Sequence, residues 1–159
     1  MLPEGFTRLY TGATGALSGA RFEVLGRVRY GFQRGFWDEW YVQLEDGTNA
    51  WLTEDDHELA LETEREHQRV PGTLSVGQVV TLEDVAYLIR EVGRTTCLGI
   101  EGQIPSDVLP DETYAYADGT SVDGAYTLGV EFDDDPPTVF KGRRLSHDDV
   151  VLDDEGEDW

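Results

Sequence analysis

Two strand-like segments joined by a tight turn hold three of the four tryptophans within fifteen positions. They read Phe36-Trp37-Asp38-Glu39-Trp40-Tyr41-Val42-Gln43-Leu44 and Asn49-Ala50-Trp51-Leu52, with Glu45-Asp46-Gly47 between them. Side chains alternate between the two faces of a strand. Trp40, Val42 and Leu44 therefore share one face with Asp38, while Trp37, Glu39, Tyr41 and Gln43 share the other. A hairpin so rich in aromatics is either the core of a small β-barrel, or a core on one face and a binding surface on the other.

The rest of the chain agrees with an all-β fold. Phe22–Tyr30 alternates on both sides of Gly26, which suits one bent strand with a bulge at the glycine. Glu58–Glu64 alternates Leu59 and Leu61 with acids. After a polar stretch broken by Pro71-Gly72, further strands are expected over Gln78–Leu82, Ala86–Val92, Thr95–Ile100, Tyr114–Ala117, Tyr126–Phe132 and Thr138–Phe140. Turns are expected at Glu83-Asp84 and Gly93-Arg94. No helical periodicity of useful length is present. Short strands with turn signals every 8–12 residues specify a mainly β fold: two packed, small barrel-like or sandwich lobes of short antiparallel strands, with little helix. The expected organisation is a weakly structured lead-in (1–21), a first β lobe carrying the aromatic hairpin (22–64), a linker (65–73), a second β lobe (74–152) and an acidic tail (153–159). An Asp-Gly-Thr triplet occurs at 46–48 and again at 118–120, too short a match to establish a repeat.

Composition narrows the function classes. With 33 acidic and 12 basic residues the formal charge is −21, and Lys141 is the single lysine. No basic stripe exists for nucleic acid. The acids are spread along the whole chain, as adaptation to a salt-rich cytosol would produce. At molar salt the screening length is about 3 Å, which leaves little long-range steering. The start shows no basic segment followed by an apolar one, and no stretch approaches the length of a membrane span. A cytoplasmic protein without direct membrane insertion is expected.

Motifs for chemistry are weak. Gly12–Gly19 imitates a dinucleotide-binding glycine loop, but a bent strand follows where a helix is required. His57, His67 and His147 lack the spacing of a zinc site. Cys97 sits in an apolar strand, as an inert core thiol would. No serine lies in a nucleophile elbow. The acidic clusters at Asp55-Asp56, Asp133–Asp135 and Asp148-Asp149 match no calcium loop. Trp159 ends a tail expected to be mobile. No catalytic residue, metal or cofactor is expected.

Asp38 faces the Trp40 side and needs a partner if buried. Arg27 or Arg29, on the preceding strand, can supply a bidentate one, so a structural ion pair is expected. Trp37, Glu39, Tyr41 and Trp51 remain as the candidate binding surface. Aromatics beside an acid suit a peptide segment, or a cation held against ring faces.

Taken together, Gly26-Arg27-x-Arg29-Tyr30, Trp37-Asp38-Glu39-Trp40-Tyr41, Asp46-Gly47 and Trp51-Leu52 resemble the prokaryotic domain-of-unknown-function family 4178. So do Tyr87 with Glu91, Glu101-Gly102 with Ile104-Pro105, Tyr116 with Asp118, and Gly142. The resemblance covers about residues 19–152. It implies no activity and no catalytic residue. It does imply a genomic setting beside a coat-forming membrane-stress protein, small membrane proteins and polyamine-synthesis enzymes. The expectation is a non-enzymatic protein-interaction module, serving an unidentified protein partner in a membrane-stress or membrane-remodelling assembly and docking it on Trp37, Tyr41 and Trp51. The alternative is a domain that binds a small ligand or a cation of the polyamine class.

Overall fold

The computed structural model describes residues 7–32, 35–56, 58–66, 68–105, 108–134 and 136–156. Eleven strands form one antiparallel sheet. They are β1 (Thr14–Leu17), β2 (Ala20–Phe32), β3 (Gly35–Leu44), β4 (Asn49–Asp55), β5 (Glu58–Glu64) and β6 (Val79–Leu82). β7 (Val85–Gly102), β8 (Thr113–Ser121), β9 (Tyr126–Glu131), β10 (Thr138–Leu145) and β11 (Val150–Leu152) complete it, and the described helix is confined to two short 3₁₀ turns near the C-terminus. The order is β11-β1-β2-β3-β4-β5-β10-β9-β8-β7-β6, and a further pairing of β2 with β7 closes eight of the strands into a barrel. The mainly β reading holds. The two halves of the chain are strands of one closed sheet, joined through β5–β10 and β2–β7.

Local sequence explains the closure. The ladder between β2 and β3 shifts register between Val24 and Gly26. A Cβ on Gly26 would lie 2.1 Å from the carbonyl oxygen of Gln103. Only glycine lets β2 bend there and still lie against the end of β7. Asp46-Gly47 turns the aromatic hairpin, with Gly47 at φ 88°. Glu83 and Asp84 both have positive φ (50° and 67°), the backbone of a two-residue hairpin turn.

The structure differs from the sequence reading at Gly93-Arg94 and in the lead-in, and both differences have physical causes. Gly93-Arg94 does not turn; β7 runs straight through it, because Tyr116 on β8 lies opposite Gly93 and its ring covers the space a side chain would fill. Asp118-Gly119-Thr120 lies within β8 and, unlike Asp46-Gly47-Thr48, makes no turn. Within the stretch expected to be a loose lead-in, Thr14–Leu17 pairs with both β2 and β11, and Ser18-Gly19 supplies the positive-φ turn into β2.

Apolar residues gather on the outer face of the barrel strands in two places. Phe22, Val24, Trp40, Val42, Ala50, Leu52 and Leu59 pack under β1 and β11 through Leu17, Val150 and Leu152. Tyr87, Ile89, Ala117, Leu128, Val130 and Val139 pack under β6 and the segment before it through Leu74, Val80 and Leu82. At about 25 cal/mol per Å², such burial is the main favourable term in the fold.

Within the first core lies a buried ion cluster. Asp38 accepts from Arg29 Nε at 2.8 Å and Arg29 NH2 at 3.0 Å, and from Arg27 NH2 at 2.9 Å. Arg27 NH1 also donates to Glu101 at 3.3 Å. Arg27 stacks over Trp40 and Arg29 over Phe36. The two guanidiniums are thus matched by two carboxylates.

Replacing Asp38 with alanine removes the buried carboxylate to which both Arg27 and Arg29 donate. Breaking such a cluster costs about 3–5 kcal/mol. Urea denaturation of Asp38→Ala is expected to show a loss of that order, and a loss below about 1 kcal/mol would contradict the role given to the cluster.

Candidate functional site

All eight barrel strands send side chains into the lumen, which encloses a cavity of about 170 Å³. Tyr30 comes from β2, Trp37 and Glu39 from β3, Trp51, Thr53 and Asp55 from β4, and Glu62 from β5. Thr95 comes from β7, Tyr114, Tyr116 and Asp118 from β8, Thr127 and Glu131 from β9, and Phe140 and Arg144 from β10. Alternation dictates this set: on β3 the lumen residues Trp37 and Glu39 interleave with the outer-face residues Asp38, Trp40 and Val42. A barrel of eight strands has room for one small ligand.

One part of the lumen is closed by an apolar plug. Val28, Tyr30 and Cys97 pack there with Trp37, Trp51, Ile100, Ile104, Val108 and Tyr114. Trp37 anchors an aromatic wall, its ring centroid 5.5 Å from Tyr30 and 5.2 Å from Tyr116. Glu58 and Arg144 form the rim. Their charged ends stand 3.7 Å apart, and both side chains reach solvent.

The polar lining is strongly acidic. Burial is the largest cause in each of the following shifts, because an enclosed carboxylate loses hydration. The Glu39 carboxyl is raised to about 7, opposed in part by the hydrogen bond it accepts from Trp37 Nε1 at 3.0 Å. Glu62 is also raised to about 7. Glu131 rises to about 8, with Glu39 the next cause. Asp118 stands well above the ordinary range, pushed further by Glu62, Glu91 and Glu39. Asp55 rises to about 6. Asp118 lines the lumen and keeps accessible surface. Among the lining residues described, Arg144 at the rim is the sole basic side chain.

Thr127 adds a second feature. It is 8% exposed, lines the lumen, and its Oγ1 makes no hydrogen bond of good geometry. The hydroxyl lies close enough to Glu62 to offset a little of the burial effect there. Among the described residues no three His, Cys, Asp or Glu side chains stand close enough to share a metal ion. The carboxylates are strung along the lumen, where a metal site would gather them at one point.

The structure places the sequence candidates as follows. Trp37, Glu39 and Trp51 line the lumen. Tyr41 stays outside the lining and packs on Trp51, ring centroids 5.0 Å apart. All four are partly buried. Cys97 is buried in the plug, and burial raises its thiol. His147 sits in an exposed 3₁₀ turn; His57, His67 and Trp159 lie outside the described residues. Glu62, Asp118, Glu131, Tyr116 and Thr127 escaped the sequence reading. Alternation separates Glu62 from Leu59 and Leu61 on β5, Tyr116 and Asp118 from Ala115 and Ala117 on β8, and Thr127 and Glu131 from Leu128 and Val130 on β9. Barrel closure turns the first-named face of each inward.

The site is therefore an acid-and-aromatic chamber inside a small closed β-barrel. The chain belongs to a family described as a domain of unknown function (DUF4178), whose model matches residues 11–147. No curated protein and no solved structure matches it. Among the described residues no helix is long and apolar enough to cross a membrane.

A carboxyl whose value is raised on folding lowers stability as pH rises from its unfolded value to its folded one, because the unfolded chain ionises first. For Glu62 that window runs from 4.5 to about 7. Glu62→Gln is expected to stabilise the protein by on the order of 2 kcal/mol at pH 8, with much less gain at pH 5. Urea midpoints at the two pH values test this, and an equal effect at both would contradict it.

Proposed function

We propose that the protein is a non-enzymatic binding domain for a small organic cation, with linear polyamines the best chemical match. The observation that supports this most is the charge of the lumen. Glu39, Glu62, Asp118 and Glu131 are enclosed, and the basic group on the described lining is Arg144 at the rim. A buried carboxylate without a counter-ion is costly, and a bound cation supplies one. The aromatic wall of Trp37, Tyr30 and Tyr116 adds ring faces, which attract ammonium groups by about 0.5–2 kcal/mol each. Charge spread along the lumen suits a ligand whose own charges are separated by methylene spacers, and such spacers pack on rings.

The reading is for binding rather than catalysis. The described lining offers carboxylates, hydroxyls, rings and one guanidinium, with no thiol, imidazole or amine to act as a nucleophile.

A second reading, a protein-interaction module in a membrane-stress or membrane-remodelling assembly, draws support from another part of the surface. Val79 and Leu88 face each other across β6 and β7 and are 60% and 37% exposed. The aromatic hairpin serves that reading less well, since Trp37 and Trp51 are turned into the lumen.

Spermidine separates the two. Ligand bound only by the native state raises the melting point with concentration, by an amount equivalent to about 2.7 kcal/mol at a hundred times Kd. A rising melting temperature is expected with millimolar spermidine, beyond that of sodium chloride at equal ionic strength. Glu62→Gln should weaken the response at least tenfold in concentration. That variant also separates lumen binding from loose association with the acidic exterior. No shift in the parent protein would contradict the proposal.

A further inference from the structure

The lumen raises a question of charge balance that ligand binding alone does not answer. Each carboxyl in it faces other acids. Across the chamber from Glu62 and Asp118, β3 presents Glu39 and β4 presents Asp55. On β7, Glu91 accepts a hydrogen bond from Tyr116 Oη at 2.8 Å. On β9, Glu131 lies near Glu39 and is flanked by Asp133, Asp134 and the Glu64 end of β5. The phenols of Tyr30, Tyr114 and Tyr116 are donors without charge. Opposing all of these stands Arg144 on β10, drawn to Glu58 at the rim. The single lysine, Lys141, is on the outer side of β10, held by Glu83 at 3.1 Å and lying over Tyr87 of the second core. On β2, Arg27 and Arg29 both pair with Asp38 on the outer face, and Arg27 also with Glu101. The fold has thus placed its nearby buried cations outside the chamber.

We propose that the chamber is a cation–proton exchanger: empty, it is neutralised by protons held on its own carboxyls, and an entering ammonium group replaces them. This rests on the cation-binding reading above and adds to it how the ligand's charge is accommodated. In the exchange a carboxyl O–H bond breaks and the proton leaves to solvent. The carboxylate left behind pairs with the ammonium, so the charge of the chamber stays constant. No electrons move and no covalent bond to the ligand forms. The Thr127 hydroxyl, buried in the wall beside Glu62 and without a hydrogen bond of good geometry, is placed to accept from an ammonium N–H. The raised carboxyls agree with the geometry: Glu39 and Glu62 at about 7 and Glu131 at about 8 hold their protons at pH 6.

The consequence is measurable in the whole protein. Isothermal titration with spermidine, run in phosphate and in bis-Tris at the same pH and ionic strength, counts protons from the dependence of heat on buffer ionisation enthalpy. At pH 6.0 the exchange predicts release of at least one proton per spermidine. Between pH 6.0 and 7.5 affinity should rise, about tenfold per pH unit for each proton released. Glu62→Gln and Glu131→Gln, each a neutral stand-in for the protonated acid, should each lower the proton count. Binding with no proton release at pH 6.0 would overturn the exchange and leave the cation-binding reading intact. No binding heat and no thermal shift at either pH would overturn both. Should one variant fail to fold, the proton count of the other and of the parent decides.

Discussion

Each barrel strand gives residues to an apolar core on its outer face, and the rest of the structure follows from this. A closed sheet normally buries one face and wets the other. Here β1 and β11 lie over one side of the barrel and β6 with the segment before it over another. The outer face thereby becomes the site of the two main apolar cores. The inner face is left to line a lumen, and the residues that alternate with the core residues are acids, rings and threonines.

Two neighbouring residues show how differently the faces are treated. Asp38 and Glu39 are adjacent on β3 and point to opposite sides. Asp38 is buried with two arginines around it, a fully compensated charge that ties β2 to β3. Glu39 is enclosed with Glu62 and Glu131 for company and an indole N–H as its donor. Buried charge without partners lowers stability. A chain able to supply Arg27 and Arg29 on one face of β2 has Val28 and Tyr30 on the other. This contrast within a single hairpin is what separates a structural ion cluster from the acidic lining of the lumen.

Much of the fold was legible. Period-two alternation marked most of the strands, Gly26 marked the bend, Asp46-Gly47 and Glu83-Asp84 marked turns, and Asp38 called for the arginines that surround it. What was not legible has a common cause. Alternation tells which residues share a face, but closure decides whether that face is wet, and closure depends on the β2–β7 and β5–β10 pairings between distant parts of the chain. The acids of β5 alternate with Leu59 and Leu61 in the sequence, but that one of them, Glu62, lines a lumen follows only from closure. Likewise Asp118-Gly119-Thr120 carries turn chemistry but is held straight by β7 and β9 on either side. That Trp37 and Trp51 share the hairpin face opposite Trp40 was legible, while the chamber they help to line required the second half of the chain.

The central claim is that the lumen holds carboxyl groups kept protonated near neutral pH because, among the described lining residues, the one basic side chain is Arg144 at the rim. Carbon-detected NMR titration of the side-chain carboxyls measures this directly in the empty protein. Glu39, Glu62 and Glu131 are expected to titrate with midpoints of about 7, 7 and 8, apart from the main body of surface acids. A spectrum in which every carboxyl titrates below pH 5 would contradict the account.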